Sequence, residues 1–366
     1  MDYRAHHVHT VNGPVRHQRA YYHCSHCHQG HCPADGDLGL EGHWSPTLLP
    51  VVTLLGAVAP FAQAGDLLHK VTGLRFAPET CRRRTEAVGA QLQVQHQQQQ
   101  AVALPTPPAW DFSLPARDGQ HFPGTVAYVG LDAFAVPTRG AGGVDWKMLY
   151  VGLLYDPGKE HTLYLVDYDF EQLAALLRRY AVTLGVGAAE TLVALTDGGN
   201  GLERVLRQSV SNAVAFVLDW WHLSQKLHEV GRMIHEQDAG AAAAWVRARE
   251  ATLWEQGGTA LVEEMDRLGC PTTAAAAAQE KWADVRNHVW KNRHRTAYPE
   301  YRARGWDVGS GPTEAGCKVM AGRVKGTGMR WEKTASEGVA ALKALYASGM
   351  GLWEAFWAQR QTSSPE

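Results

Sequence analysis

The chain has 366 residues, 45% of them hydrophobic, more than one core usually organises, so two or three domains are expected. Its 35 Lys and Arg stand against 37 Asp and Glu, which excludes a whole-surface nucleic-acid coat but leaves local basic patches open. Six scattered cysteines argue against a disulfide framework, and the first 18 residues lack the apolar stretch of a secretory leader, so the cytoplasm is the expected compartment.

Residues 1–45 read as a small Cys/His-rich module. Cys24-Ser-His-Cys27 is a Cys-x-x-Cys pair with His23, His26, His28, His31 and Cys32 beside it. Two thiolates at that spacing suit tetrahedral Zn²⁺, which needs four ligands. Three completions stay open: His31 or Cys32 joins, a histidine from His6–His9 folds back, or the site is an incomplete remnant. Cys81, Cys270 and Cys317 are isolated and read as packed thiols.

Residues 46–95 turn helical. The apolar run Leu48 to Ala62 carries Pro50 and Pro60 and is short for a membrane span, so it reads as a buried helix. Phe61–Thr72, the turn Gly73–Ala77 and Pro78–Leu92 have the punctuation of a helix-turn-helix. Arg82-Arg83-Arg84 falls near the start of the second helix, where such motifs contact bases and phosphates. The alternative is a helical bundle with a solvated basic face. A Gln-rich run with Pro105, Pro107 and Pro108 marks a linker over residues 96–122.

Strand signals dominate the next part: Thr125–Asp132, Lys147–Tyr155 and His161–Tyr168, then Thr191–Thr196 and Ala213–Asp219, with helices at Phe170–Leu184 and from about Gly201. This order predicts an α/β fold with a mixed sheet covered by helices. From Trp220 to about Ala303 the pattern is helical only, with Ala241–Glu255 and Thr273–Arg286 the clearest segments.

Three strands end in an acid: Asp132, Asp197 and Asp219. Asp197 runs straight into Gly198-Gly199, and Glu314 sits in the glycine loop Gly309-Ser-Gly-Pro-Thr-Glu314 at a helix start. Carboxylates are the hard donors that Mg²⁺ takes, and two such ions can activate an attacking oxygen and stabilise a leaving one. Any one of these acids could equally be a turn or capping residue.

The stretch Gly309–Lys318 followed by Lys325-Gly-Thr-Gly-Met-Arg-Trp331 resembles the ISKra family of bacterial insertion-sequence transposases. So do Leu131-Asp132, Pro137-Thr-Arg139, Thr196-Asp197-Gly198, Asp219-Trp-Trp-His222 and Tyr21-Tyr-His-Cys24 through Leu40. The resemblance runs from about Val11 to Trp357. It implies a ribonuclease H-like catalytic domain over residues 123–366, with an all-helical insertion at about 222–304 before the last acid. Asp132, Asp197 and Glu314 would bind two Mg²⁺ or Mn²⁺ ions. Asp219 and His222 would match the signature of Mutator-like relatives, His222 orienting phosphate or a neighbouring group; a plain core histidine is the alternative. The sequence departs from the family in Ala133, where Gly is usual, and in lacking the usual upstream Cys-x-x-Cys pair.

On this reading the protein is a metal-dependent DNA transposase, acting as a homo-oligomer on paired element ends in double-stranded DNA, without a membrane. A non-catalytic DNA-binding derivative and a ribonuclease H-like nuclease without transposition are the alternatives. Between Lys281 and Arg330 there are eleven Lys or Arg against four acids, interleaved with Trp282, Trp290, Tyr298, Tyr301, Trp306 and, just beyond, Trp331. Lys318, Arg323, Lys325 and Arg330 are the expected phosphate contacts, and the aromatics could stack on unpaired bases.

Overall fold

A computed structural model describes residues 2–198, 203, 204, 207 and 214–362. The helix expected from about Gly201 and the residue Ala213 fall outside the described residues.

The chain begins with a hairpin that the sequence reading did not foresee. Strands β1 (Asp2–Thr10) and β2 (Gly13–His23) pair antiparallel, and β3 (Gly30–His31) adds a short third strand. Its His- and Arg-rich alternation hides the period of two, because only His6 and Val8 of β1 are buried. A five-residue helix, α1 (Pro33–Asp37), follows.

Helix α2 (Leu48–Val58) starts where the Ser45 hydroxyl accepts from Leu48 N at 3.1 Å, and Pro60 prevents its continuation. Helix α3 (Phe61–Thr72) ends on Gly73, whose φ of 77° is the left-handed cap that glycine adopts freely. Helix α4 (Pro78–Gln97) runs five residues further than expected, taking in half the Gln run, since Val88, Leu92 and His96 continue its buried face. The segment after it, residues 98–125, carries no helix or strand. It is nonetheless packed: Val102, Phe112 and Leu114 are buried, and the Trp110 indole donates to Leu184 O at 2.7 Å.

The central sheet has five strands in the order β6-β5-β4-β7-β8. Strands β4 (Val126–Gly140), β5 (Gly143–Tyr155) and β6 (Thr162–Asp167) form an antiparallel meander. Strands β7 (Thr191–Thr196) and β8 (Val214–Leu218) then run parallel to β4. The β4 strand does not stop at Asp132 as the sequence suggested. It continues eight residues to a tight turn at Gly140–Gly143, paired with β5 throughout. On its other side the β7 ladder ends at Gly130↔Leu195, and the vacated edge is taken by Trp331, whose N–H donates to Pro137 O while Arg139 N donates to Trp331 O.

Strand alternation separates the two faces. A side chain at Gly152 would strike Leu177 of α5 (Phe170–Thr183), whereas neighbouring Leu153 lies against Gly316 of α11 (Gly311–Val324). Helix α5 therefore covers one face and α11 the other, beside α12 (Lys333–Ala347). A last helix, α13 (Leu352–Thr362), follows. Between Trp220 and Ala303 the chain is helical only: α6 (Trp220–Ile234), α7 (Ala239–Gln256), α8 (Gly258–Leu268), α9 (Ala276–Asn292) and α10 (Tyr298–Ala303), with one 3-10 turn at 293–295. Two tyrosine hydroxyls fasten this block to the sheet edge, Tyr298 donating to Leu218 O at 2.9 Å and Tyr301 to Phe216 O at 3.2 Å. At the opposite edge Tyr164 N donates to the Ser348 hydroxyl at 2.9 Å. Among the described residues, no helix is long and apolar enough to cross a membrane.

Helices α4 and α12 meet backbone to backbone. A methyl on Gly89 would lie 2.7 Å from the Gly338 carbonyl carbon, and a methyl on Gly338 would lie 2.8 Å from that of Gly89. Neither backbone can yield without moving its helix. Gly89→Ala is therefore expected to cost about 1–3 kcal/mol despite its better helix propensity, read as a lower denaturant midpoint. An unchanged or raised midpoint would show that the two helices separate freely.

Next to this contact, Glu337 and Asp167 form a buried carboxyl pair, each under a tenth exposed. Burial and the Asp167 charge push Glu337 up to about 7, and burial raises Asp167 as well. A carboxyl whose folded pKa lies above its unfolded one stabilises the fold at low pH, and that contribution is lost as pH rises through the folded value. Between about pH 4.5 and 7 the loss amounts to about 1.4 kcal/mol for each unit crossed. Glu337→Gln should accordingly flatten the pH dependence, melting higher than the parent at pH 8 and no higher at pH 4; parallel melting curves across that range would refute the raised Glu337 pKa.

Candidate active site at the carboxyl edge of the sheet

The pairing registers align the three aspartates. Asp132 and Asp197 keep the offset of the pair Gly130↔Leu195, and Asp197 and Asp219 keep that of Thr196↔Leu218. Continued just past these last pairs, the offsets place all three at the same end of three neighbouring parallel strands, at the carboxyl ends of β7 and β8. The β7–β8 ladder reaches this row directly, since Asp219 N donates to Thr196 O at 2.9 Å.

Asp132 shares its face with Gly130, and that face is covered by the first turn of α11. Gly130 has no side chain because Thr313 occupies the space, its hydroxyl 1.9 Å from where a Cβ would stand. Glu314, the next residue, is exposed and pairs with Lys318 at 3.3 Å. Cys317 is buried next to both acids, close enough to feel the charges of Asp132 and Glu314. Burial, the Asp132 carboxylate and Glu314 together hold this thiol protonated, far above the ordinary range. Cys317 is thus a packed thiol, as its isolation suggested, but one that couples two of the acids.

Asp219 has a different character. It is 1% exposed and accepts four hydrogen bonds: from His222 Nδ1 at 2.6 Å, from Trp221 N at 3.0 Å, and from Ser310 N and Oγ at 3.2 and 2.6 Å. Burial works to raise its pKa, yet the bonds from His222 and Ser310 outweigh it and keep the carboxyl below its usual value. With its oxygens committed, Asp219 caps α6, aims His222 and ties down the loop that delivers Glu314. His222 responds in kind. The Asp219 bond raises its pKa against the opposing effect of burial, and the charges of Asp197 and Asp132 add to the rise, which sets the ring within the field of all three aspartates.

The helical block reaches the row from the other side. Arg295, 2% exposed, donates to the Thr196 hydroxyl and, at 3.2 Å, to Asn292 Oδ1. Burial lowers its pKa while Glu203 and Asp197 counter that effect. Gly198, with φ of 85°, brings the chain so close that a Cβ would lie 3.2 Å from His288 and 3.3 Å from Asn292. His288 and Asn292 stand one turn apart at the end of α9 and Arg295 follows in the 3-10 turn, at i, i+4 and i+7 in the sequence.

Several expected contacts lie elsewhere. Arg323 is not on a solvent face: it is 1% exposed, donates to Gly56 O at 2.9 Å and lies against the rings of Phe61 and Trp331. Trp282, Tyr298, Tyr301, Trp306 and Trp331 are core residues, each below 9% exposure, and of that aromatic set only Trp290 is exposed. Their hydrophobic area outweighs any use as a stacking surface. Conversely Trp221, which the sequence reading did not single out, stands 63% exposed beside His222. Arg82 is held by Glu79 and Glu86, Arg83 by Glu79, and Arg84 lies over the Trp44 ring. One face of α4, from Cys81 to His96, is buried against α2, α3 and α12, while the opposite face, with Arg83, Arg84, Ala87, Gln91 and Val94, is exposed. Lys325 and Arg330 are exposed. At the N-terminal hairpin Cys24 and Cys27 are both exposed, with Cys27 N donating to Cys24 Sγ at 3.5 Å and backbone hydrogen bonds lowering the Cys24 pKa. Among the described residues, no three His, Cys, Asp or Glu side chains are gathered at metal-holding distance, at this pair or at the acid row.

No protein-family model matches the chain, and no curated protein matches it.

The Asp219–His222 pair gives a direct test. Asp219→Asn removes the main cause of the raised imidazole pKa, so a His222 titration followed by NMR should move down toward the ordinary histidine value. An unmoved titration would mean that the ring is held by something other than this carboxylate.

Proposed function

We propose that the protein is a metal-dependent DNA phosphoryl-transfer enzyme of the acidic-triad transposase class, built on a ribonuclease H-like domain. The single observation that carries this is the placement of Asp132, Asp197 and Asp219 just past the last pairs of three neighbouring parallel strands, with the helix bearing Glu314 packed on the β4 face at Gly130. The strand order, a three-stranded antiparallel meander followed by two parallel strands on the far side of its first strand, supports the ribonuclease H-like reading. So does the helical block entering between β8 and the last acid.

Asp132, Asp197 and Glu314 offer the hard oxygen donors that suit Mg²⁺ or Mn²⁺, and would hold two such ions. When bound, the metal supplies neutralisation of the reacting phosphate and activation of the attacking oxygen. The chain's own residues do the remainder. Asp219 fixes the Gly309–Ser310 loop, and so the start of α11. His222, kept basic by the carboxylates around it, stands ready to donate to a phosphate oxygen. Arg295 braces the tip of β7 through Thr196. Element ends in double-stranded DNA are the substrate on this reading, with Zn²⁺ at Cys24 and Cys27 a structural addition.

A second reading, a DNA-binding derivative without catalysis, is favoured by one observation, the pairing of Glu314 with Lys318 on the outer surface. One experiment separates the two. Labelled element-end duplex incubated with Mg²⁺ or Mn²⁺ should be nicked by the parent, and Asp197→Asn should be slower by at least about 100-fold, the equivalent of about 2.7 kcal/mol of transition-state stabilisation. Binding without cleavage by either protein would favour the derivative.

A further inference from the structure

A second charged site lies where the N-terminal helices meet the segment after α11. Arg82 from α4, Arg139 from the end of β4, and Arg323 and Arg330 line a notch of about 260 Å³, walled by Phe61 and Trp331. Two acids, Glu86 and Glu332, share it. Arg82 is satisfied by Glu79 and Glu86, whereas Arg139 reaches Glu332 only at 3.4 Å with both side chains about two-thirds exposed.

Arg323 is the unusual member. It is almost wholly buried, its Nε donates to Gly56 O, and its Nη2 has no hydrogen-bond partner. Burial pushes its pKa down to about 10, with only the Glu86 charge opposing, and half-buried Lys343 is depressed by its own burial and further by the Arg323 charge. A buried guanidinium without an ion pair is costly, and structures normally complete such a group with an anion. The volume is below the roughly 300–1,000 Å³ of small-molecule pockets, which suits a single tetrahedral anion rather than a cofactor. Planar guanidinium forks match phosphate oxygens closely.

We propose that this notch binds a phosphate group, with Arg323 at its base and Arg139 and Arg330 at its rim. Two sources carry that chemistry: the backbone of DNA running past the site, or a free phosphorylated ligand. Only the first rests on the function proposed above, since capture of phosphate itself does not depend on cleavage.

The test uses the full chain, with inorganic phosphate and a duplex oligonucleotide as separate probes. Phosphate should raise the melting temperature by about 2 °C or more at saturation, relative to chloride at equal ionic strength. Arg330→Gln and Arg139→Gln, both at exposed positions, should abolish that rise while melting normally without phosphate. Arg323→Met is the stronger substitution, and the rim variants keep the test sound if it does not fold. If the rim variants also weaken duplex binding and reduce its salt slope by about one each, DNA is the source. If they abolish the phosphate response but leave duplex binding intact, the source is a free phosphorylated ligand. No phosphate-dependent rise in the parent, with unaltered duplex binding in both rim variants, would overturn the site while leaving the acid-row reading untouched.

Discussion

The arrangement at the sheet edge depends on one buried carboxylate. Asp219 joins three parts of the chain that are far apart in sequence or in role: the tip of β8, the first turn of α6 with His222, and the loop before α11. Inside a protein each of these bonds is stronger than in water, and an unmet partner would be penalised accordingly. Because the helical block is inserted between β8 and α11, Asp219 and Ser310 are separated by 91 positions along the chain. The Asp219–Ser310 contact short-circuits that path.

Glycines set how closely the helices approach this frame. Gly130 admits Thr313, Gly316 admits Leu153 and Tyr164, and Gly89 and Gly338 bring α4 against α12. The first two place α11 on the sheet face that bears Asp132. The last joins the N-terminal helices to the same body, so that α4 serves as a packed helix with one solvent-facing side. Motif and architecture here use one set of residues: Gly316 and Thr313 lie within the segment whose pattern drew attention to Glu314.

Much of this was legible in the residues. Thr191–Thr196 is a continuous apolar strand because both its faces are covered, and its limits are those the sequence suggests. Phe61–Thr72 is bounded by Pro60 and Gly73, punctuation that needs no tertiary knowledge. The acids were visible as strand-end residues, but their common register was not, since pairing offsets depend on which strands become neighbours. The extension of β4 past Asp132 was hidden for a related reason. Ala133 to Gly140 is held partly by Trp331, nearly two hundred residues away. The burial of Arg323 was only partly readable. Its spacing places it on the stripe of Thr313, Gly316, Cys317, Met320 and Val324 and off the side of Lys318, but the rings of Phe61 and Trp331 that meet its guanidinium come from other parts of the chain.

Both borders of the central sheet are closed by side chains: tyrosine hydroxyls on the β8 carbonyls, and the Ser348 hydroxyl on β6. Another copy of the chain would therefore have to displace these bonds before it could continue the sheet as a sixth strand. Main-chain pairing at this sheet therefore competes with bonds already made, whereas contacts through helix faces and loops are specified by side-chain shape and charge.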